Sequence, residues 1–306
     1  MEIVKKNRIM KKIGIVILNY NSFQDTIDLA VVLHKQTVSA EMYVVIVDNA
    51  SPNNSFENLK PLEKKHQNVI VLQTGANLGY AKGNNFGLNY LDKHIQPNYV
   101  AILNNDIILP DNCFEKLVEK YKELKNPAII APKQIDINNK EFSPLKLNSF
   151  LDDCLNLFLI FRVCLKGNVL KYIDNTGLQV MKVDMIPGSF MFASFNTFKQ
   201  MDFFYPNTFL FAEERFISVK AKQMKLNNYI LLEETYIHAH SKTINTVFNQ
   251  VGKYKMLYTE WLEFTKVCRT HGKIKAMFLK PLMKVSLIEL YIMDKTRNLL
   301  LNFRRN

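Results

Sequence analysis

The chain has 306 residues, enough for one large α/β domain or one domain with an appended helical piece. With 48% apolar and 22% charged residues and no long low-complexity tract, it can bury a sizeable core, which excludes wholesale disorder. The formal net charge is +12, and residues 241–306 hold 13 Lys/Arg against 4 Asp/Glu, so an anionic partner is expected at the C-terminal end.

The N-terminus is basic, but the apolar run behind it, 13–18, is six residues long. That is too short for a signal-peptide core or a bilayer span, and it reads as a strand. No other segment reaches roughly 18 uncharged apolar residues. We therefore expect a cytoplasmic protein, free or peripheral on the inner face of the cell membrane. Cys113, Cys154, Cys164 and Cys268 lack a C-x-x-C spacing and read as free thiols in a reducing compartment, not as a disulfide frame or a zinc site.

Short runs rich in Val, Ile and Leu at 13–18, 43–47, 69–72, 99–103 and 128–131 predict strands buried on both faces. Between them, helical spacing covers 23–35, 56–65, 81–91 and 111–124, the last opening on Pro110-Asp111. This alternation predicts an α/β fold with a mostly parallel, doubly wound sheet and right-handed crossovers. Residues 154–165 are strongly apolar and read as a core helix or a flap over a site. Strand-like blocks follow at 183–193, 229–232 and 235–237. Residues 251–303 look helical, and Pro281 predicts a break between two helices. The expected division is a catalytic domain over 12–245 and a basic helical C-terminal extension over 246–306.

Ligands in such sheets bind where strand carboxyl ends open onto loops. Asn19-Tyr20-Asn21, Asp48-Asn49-Ala50-Ser51 and Asn104-Asn105-Asp106 each follow a predicted strand, so all three reach the same edge. A lone acid there is commonly a turn former; three converging clusters argue for a ligand cleft. Residues 77–87 lack the G-x-G-x-x-G spacing of a dinucleotide fingerprint, but Gly79 and Gly83 allow close backbone approach where a helix opens.

These residues resemble the family 2 glycosyltransferases, which have the GT-A fold, over roughly Lys12 to Lys242. The resemblance runs through Leu18-Asn19-Tyr20-Asn21, Val47-Asp48-Asn49-Ala50-Ser51, Asn77-x-Gly79 to Asn85-x-Gly87, and Asn104-Asn105-Asp106. It continues with Pro187-Gly188-Ser189, Phe211-Ala212-Glu213-Glu214 and Ile237-His238-Ala239-His240. It implies a nucleotide-binding group of Leu18, Tyr20, Asp48, Asn77, Asn85 and Asn104, with Asp48 receiving a base N–H. Gly188 would lie beneath the donor sugar. Asp106 and His238, the latter preferred over His240, would hold Mn²⁺ or Mg²⁺ against the donor's diphosphate, and Glu214 would be the catalytic base of an inverting transfer. Residues 77–87 and 211–214 resemble the rhamnosyltransferase-like enzymes of capsule and O-antigen synthesis, which implies dTDP- or UDP-sugar donors and saccharide or lipid-linked acceptors.

The chain departs from that pattern in three places. The D-x-D motif has an amide in its first position, Asn104. Arg215-Phe216 follows Glu214 where many relatives carry another acid. The Gln-x-x-Arg-Trp motif of processive enzymes is absent, so one sugar per event is expected. Two other readings fit worse. A nucleotidyltransferase needs a Gly- and Arg-rich triphosphate signature that Asn19-Tyr20-Asn21-Ser22 does not supply. A nucleic-acid-binding protein would explain the basic tail, yet the tail has no helix-turn-helix, zinc-finger or RNP-like pattern, so no nucleic-acid partner is expected. Lys273, Lys275, Lys280 and Lys284, interleaved with large apolar residues, instead suit an anionic membrane surface; packing on the catalytic domain or a homodimer would use the same residues.

Overall fold

Runs rich in Val and Ile that end in polar turns give β1 (Lys11–Asn19), β2 (Ala40–Asp48), β3 (Val69–Gln73) and β4 (Tyr99–Asn104). In the computed structural model, which describes residues 10–142, 146–161, 179–239 and 250–303, they run parallel in the order β3-β2-β1-β4. The crossovers carry α1 (Phe23–His34), α2 (Ser55–Leu59), α3 (Leu62–Lys65) and α4 (Gly79–His94). The single helix expected over 56–65 is divided at Pro61, whose missing N–H and fixed ring end one helix and open the next. The chain winds outward from β1 to β3 and returns to β4 on the other side of β1. That reversal opens a crevice at the carboxyl ends of β1 and β4.

Beyond β4 the sheet is mixed. β5 (Ile107–Ile108), α5 (Cys113–Glu123), β6 (Pro127–Ile135), α6 (Phe150–Leu155), β7 (Val180–Val183) and β8 (Phe190–Ser194) come next. They are followed by α7 (Phe195–Gln200), α8 (Glu213–Gln223) and β9 (Asn227–His238). β8 lies antiparallel between β4 and β6, β6 is parallel to β9, and β5 and β7 pair antiparallel with β9. The block expected as one strand over 183–193 is therefore two strands, with Pro187-Gly188 in the loop between them. The pieces at 229–232 and 235–237 are one strand, interrupted by an irregularity opposite Pro132 and Lys133. The main core is the strand interior, Ile13, Ile15, Ile17, Val45, Val47 and Val100, all fully buried. Gly87 lets α4 lie close on this sheet, since a Cβ there would stand 2.7 Å from Val16 Cγ1.

The chain ends in α9 (Gln250–Cys268) and α10 (Gly272–Phe303). The break expected at Pro281 is not there: Pro281 lies exposed inside α10, and the chain turns at 269–271, where His271 has φ 55°. Proline costs the helix one hydrogen bond and a local clash, but Leu279 and Met283 on either side are buried against Leu157 and Tyr258, which holds the helix through it. Residues 154–165 divide likewise: Leu157 is core, Ile160 and Phe161 are exposed, and 162–165 fall outside the described residues. The extension also meets α8. Phe264 of α9 packs edge-on against Phe216 at 5.3 Å, and the buried carboxylate of Asp153 is shared by Arg215 (2.6 Å) and Arg269. Arg215, the departure beside Glu214, is thus spent on tying α8 to α6 and α9. Cys113 is buried and Cys154 and Cys268 are half-buried, all three as free thiols; Cys164 lies outside the described residues.

Candidate active site

Two groups of side chains face each other across the carboxyl edge. The first is built at the ends of β1 and β2. Asp48 has no solvent exposure, and both its oxygens are occupied. Oδ1 accepts from Asn19 Nδ2 (2.8 Å) and Ser51 Oγ (2.6 Å), and Oδ2 from Ser51 N (3.2 Å) and Gln73 Nε2 (3.3 Å). A left-handed Ala50, φ 55°, turns the chain so that Ser51 reaches back to that carboxylate. Asn49 is equally engaged. Its Oδ1 accepts from Leu78 N and Thr74 Oγ1, and its Nδ2 donates to Asn77 Oδ1 and to Gly79 O. Leu18 and the half-exposed Tyr20 lie beside this cluster, and Gly83 admits Leu18, whose Cδ1 would stand 2.5 Å from a Cβ there.

Two residues expected in the nucleotide wall are hydrogen-bonded within the fold. Asn77 Oδ1 receives Asn49 Nδ2 and its own neighbour Gly79 N (3.0 Å), so it shapes the turn that opens α4. Asn85 pairs through both ends of its amide with the backbone of Phe204, at 2.8 and 3.1 Å. It anchors the loop after α7. Asn105, the middle of the Asn-Asn-Asp triplet, donates to Ser22 and Thr26 and fastens the end of β4 to α1.

The second group surrounds a cavity of about 210 Å³ lined by Tyr80, Asn104, Gly188, Phe211, Glu213, Glu214 and His238 among others. On one wall, His238 Nε2 stands 3.1 Å from Asp106 Oδ1, and Gln134 Nε2 stands 3.1 Å from His238 Nδ1. Gln134 Oε1 receives the hydroxyls of Tyr236 (3.0 Å) and Ser189 (3.3 Å). The second oxygen of Asp106, Oδ2, is buried with no hydrogen-bond partner. A buried carboxylate oxygen without a partner is costly unless a ligand meets it. A carboxylate oxygen such as Asp106 Oδ2 is the kind of donor that Mn²⁺ and Mg²⁺ take. No cluster of three His, Cys, Asp or Glu that could hold a metal occurs among the described residues, and His240 lies outside them.

The opposite wall is the start of α8. Glu214 Oε1 accepts from Gly188 N at 3.0 Å, and Tyr80 Oη donates to Gly188 O at 2.5 Å. A Cβ on Gly188 would fall 2.5 Å from Glu214 Oε1, so glycine is what lets this carboxylate rest on the loop. Burial pushes the Glu214 carboxyl above the usual carboxylate range. Glu213 lines the same cavity. Burial first, and the Glu214 charge second, raise its carboxyl to about 8, and its Oε1 has no hydrogen-bond partner. It pairs with neither Arg215, which holds Asp153, nor Lys220, which reaches Asp202. Behind it, Glu260 of α9 accepts Phe209 N at 2.9 Å, while Phe209 O accepts Tyr80 N at 2.7 Å. The loop into α8 is so held between α4 and α9, and Phe211 sits in it with a strained φ of 90°. Sequence reasoning passed over Tyr80, Gln134, Ser189 and Glu213. Tyr80 lay inside the Gly-rich segment already singled out, and Glu213 beside the chosen base.

Comparisons with known proteins bear on the family and the fold. The model of "Glycosyl transferase family 2" matches residues 14–194, a span that contains Asp48, Asp106 and Gly188 and stops before Glu214 and His238. The low-salt glycan biosynthesis hexosyltransferase Agl10 of Haloferax volcanii is 25% identical over 215 residues, 70% of this chain and 63% of that protein's own length. Among solved structures, S. aureus TarS 1–349 in complex with UDP-GlcNAc has a TM-score of 0.55 at 16% identity, covering 86% of this chain and 69% of that one. The mannosyltransferase PcManGT of Pyrobaculum calidifontis, in complex with GDP-Man and Mn²⁺, has a TM-score of 0.56 at 12% identity, covering 96% and 81%. The two structures share the GT-A fold with this chain, and the matched model, spanning more than half of the residues, shows that the chain belongs to glycosyl transferase family 2.

Proposed function

We propose that the protein is an inverting, metal-dependent glycosyltransferase that moves a single hexose from a nucleotide-diphosphate sugar to a hydroxyl of a saccharide or lipid-linked acceptor. One observation carries the reading: His238, whose Nε2 stands 3.1 Å from an Asp106 carboxylate with a bare buried oxygen, and Glu214, whose carboxyl is raised by burial, line one cavity. Asp106 and His238 would hold Mn²⁺ or Mg²⁺, which, when bound, offsets the charge that develops on a nucleoside diphosphate leaving group.

The remaining work falls to the chain itself. Leu18 and Tyr20 flank the nucleotide, and Asp48, through its bonds to Asn19, Ser51 and Gln73, sets the turn on which the base rests. A base N–H can take the place of the long contact from the exposed Gln73. Asn104 and Gly188 border the sugar. Gly188 N–H fixes Glu214 Oε1, which leaves Oε2 for the acceptor's hydroxyl proton. As the acceptor oxygen bonds to the anomeric carbon, the carbon–oxygen bond to the diphosphate breaks, its electron pair leaves with the nucleotide, and the proton passes to Glu214. Attack opposite the leaving group inverts the anomeric centre. A carboxyl raised by burial is a stronger base than an ordinary glutamate at neutral pH.

The hexosyltransferase and glycan-biosynthesis wording of the Haloferax relative, and the UDP-GlcNAc and GDP-Man complexes of the structural neighbours, support this class of donor and a role in cell-surface polysaccharide synthesis. dTDP- and UDP-sugars are our leading donors, with rhamnose the first sugar to try, and the chain would work peripherally on the inner face of a membrane. The test is a hydrolysis screen of dTDP-, UDP- and GDP-sugars with Mn²⁺ and without acceptor. We expect metal-dependent release of one nucleoside diphosphate; no turnover and no nucleotide binding across the panel would overturn the proposal.

A further inference from the structure

Helix α10 has two apolar sides. Ala276, Leu279, Met283 and Ser286 are buried on one of them, where Leu279 and Met283 meet Leu157 and Tyr258. On the other, Ile274, Phe278, Pro281, Val285, Ile288 and Ile292 recur at alternating steps of four and three residues, which puts them along a single line of the helix. The five aliphatic and aromatic members are each more than half exposed. At 1.5 Å per residue the line runs about 27 Å. Ile160 and Phe161, also exposed, come alongside it, because the neighbouring Leu159 N donates to Glu289 at 3.2 Å. A soluble face does not need such a row, and contiguous apolar exposure of this kind marks an interaction surface.

Charge identifies the occupant. Lys280, Lys284 and Lys295 follow one flank of the line, with Lys273 at its start. On the opposite flank stands Glu289, whose carboxylate is already engaged by Leu159 N. The alternating spacing would suit a coiled-coil seam, but an antiparallel pair joined there would set lysine flank against lysine flank, and a parallel pair would offer the lysines only Glu289, already engaged by Leu159 N, and Lys275. An anionic lipid surface meets both features at once: the apolar row enters the boundary between headgroups and acyl chains, and the lysines meet the headgroups. No helix among the described residues is long and apolar enough to cross a membrane, so α10 would lie in the interface.

We propose that the Ile274–Ile292 face of α10 docks the protein on an anionic membrane surface. The inference deepens the membrane placement suggested above and does not depend on the donor chemistry. It is tested with the full chain by co-sedimentation with vesicles of phosphatidylcholine alone and of phosphatidylcholine with phosphatidylglycerol, at low and high salt. Wild type is expected to bind the phosphatidylglycerol vesicles, to lose most binding at high salt, and to ignore the neutral ones. Phe278→Ser/Ile288→Ser and Lys280→Glu/Lys284→Glu, all at exposed positions, should each bind at least tenfold more weakly while keeping the wild-type melting temperature and nucleotide affinity. Equal binding by wild type and both double variants would overturn the proposal. So would wild type that ignores phosphatidylglycerol but sediments as a dimer that Phe278→Ser/Ile288→Ser dissociates, since the face would then belong to a second copy. A wild-type chain that docks but binds no nucleotide would count against the enzymatic reading and leave this one standing.

Discussion

The two walls of the cleft handle their polar groups in opposite ways. At the carboxyl end of β2, buried side chains satisfy one another: Asp48 receives four donors and Asn49 uses both ends of its amide. Around β4, β9 and α8, Asp106 Oδ2 and Glu213 Oε1 are buried without partners, and the carboxyls of Glu213 and Glu214 are raised by burial. In our proposal the saturated group is scaffold that shapes a surface for the nucleotide, and the unsaturated one holds groups for the ligand, at a cost in stability that the rest of the fold absorbs. Substitutions should therefore divide cleanly: rate on one side, stability on the other.

The largest effect is expected at Glu214. Glu214→Gln keeps size and hydrogen-bonding reach but removes basicity, and losing a general base costs about 10²–10⁴-fold in rate. Nucleotide affinity should hardly change, and single-turnover transfer beside nucleotide titration separates the two. Because Glu213 lines the same cavity, Glu213→Gln is a competing arm and not an inert control: if it is the dead variant while Glu214→Gln turns over, the base is one residue off.

Gly188→Ala comes next. The added Cβ would meet Glu214 Oε1 at 2.5 Å, and displacing a catalytic group by about 1 Å can cost 10²-fold. The rate should fall with the melting temperature nearly unchanged; a destabilised but active protein would put Gly188 on the scaffold side. Asp48→Asn probes the saturated wall. One oxygen becomes a donor facing donors, and a buried group left unsatisfied costs about 1–3 kcal/mol, readable as a lower denaturant midpoint. If stability were unchanged and only nucleotide affinity fell, Asp48 would belong with the ligand-facing groups.

The smallest effect is in pH. Glu213 has its folded-state pKa raised from an ordinary 4.5 to about 8, with Glu214 and Glu260 as the charges that add to its burial. The folded protein keeps this proton after the unfolded chain has lost it. Its stabilising share is thus complete below pH 4.5, declines as pH rises toward 8, and is gone above. Glu213→Gln should flatten that part of the stability profile, measured by denaturant unfolding from pH 5 to 9. An unchanged slope would mean that Glu213 is ionised in the fold.

Much of this was legible in the chain. The first four strands and the polar clusters behind them follow from local periodicity, and order along the chain was enough to bring the Asn19, Asp48 and Asp106 clusters to one edge, whereas Gly188 entered only through the family resemblance. What was not legible depends on distant partners. Gln73 reaches Asp48 only because β3 registers those two residues side by side. Asn85 finds the Phe204 backbone 119 residues on, and Glu260 finds Phe209 N across 51 residues. No local pattern reveals that an asparagine amide is already spent. Pro281 misled for the same reason: its local rule favours a break, and the buried Leu279 and Met283 around it outweigh that rule.

The central claim is that Asp106, and not Asp48, presents its carboxylate to a cation carrying the donor's diphosphate. Titration calorimetry of UDP and dTDP binding, with and without Mn²⁺, tests it on wild type and Asp106→Ala. The account predicts that Mn²⁺ strengthens nucleotide binding to wild type and has no effect on the variant, which stays as stable as wild type or gains stability by losing an unpartnered buried oxygen. Equal, Mn²⁺-strengthened affinity in both proteins would contradict it.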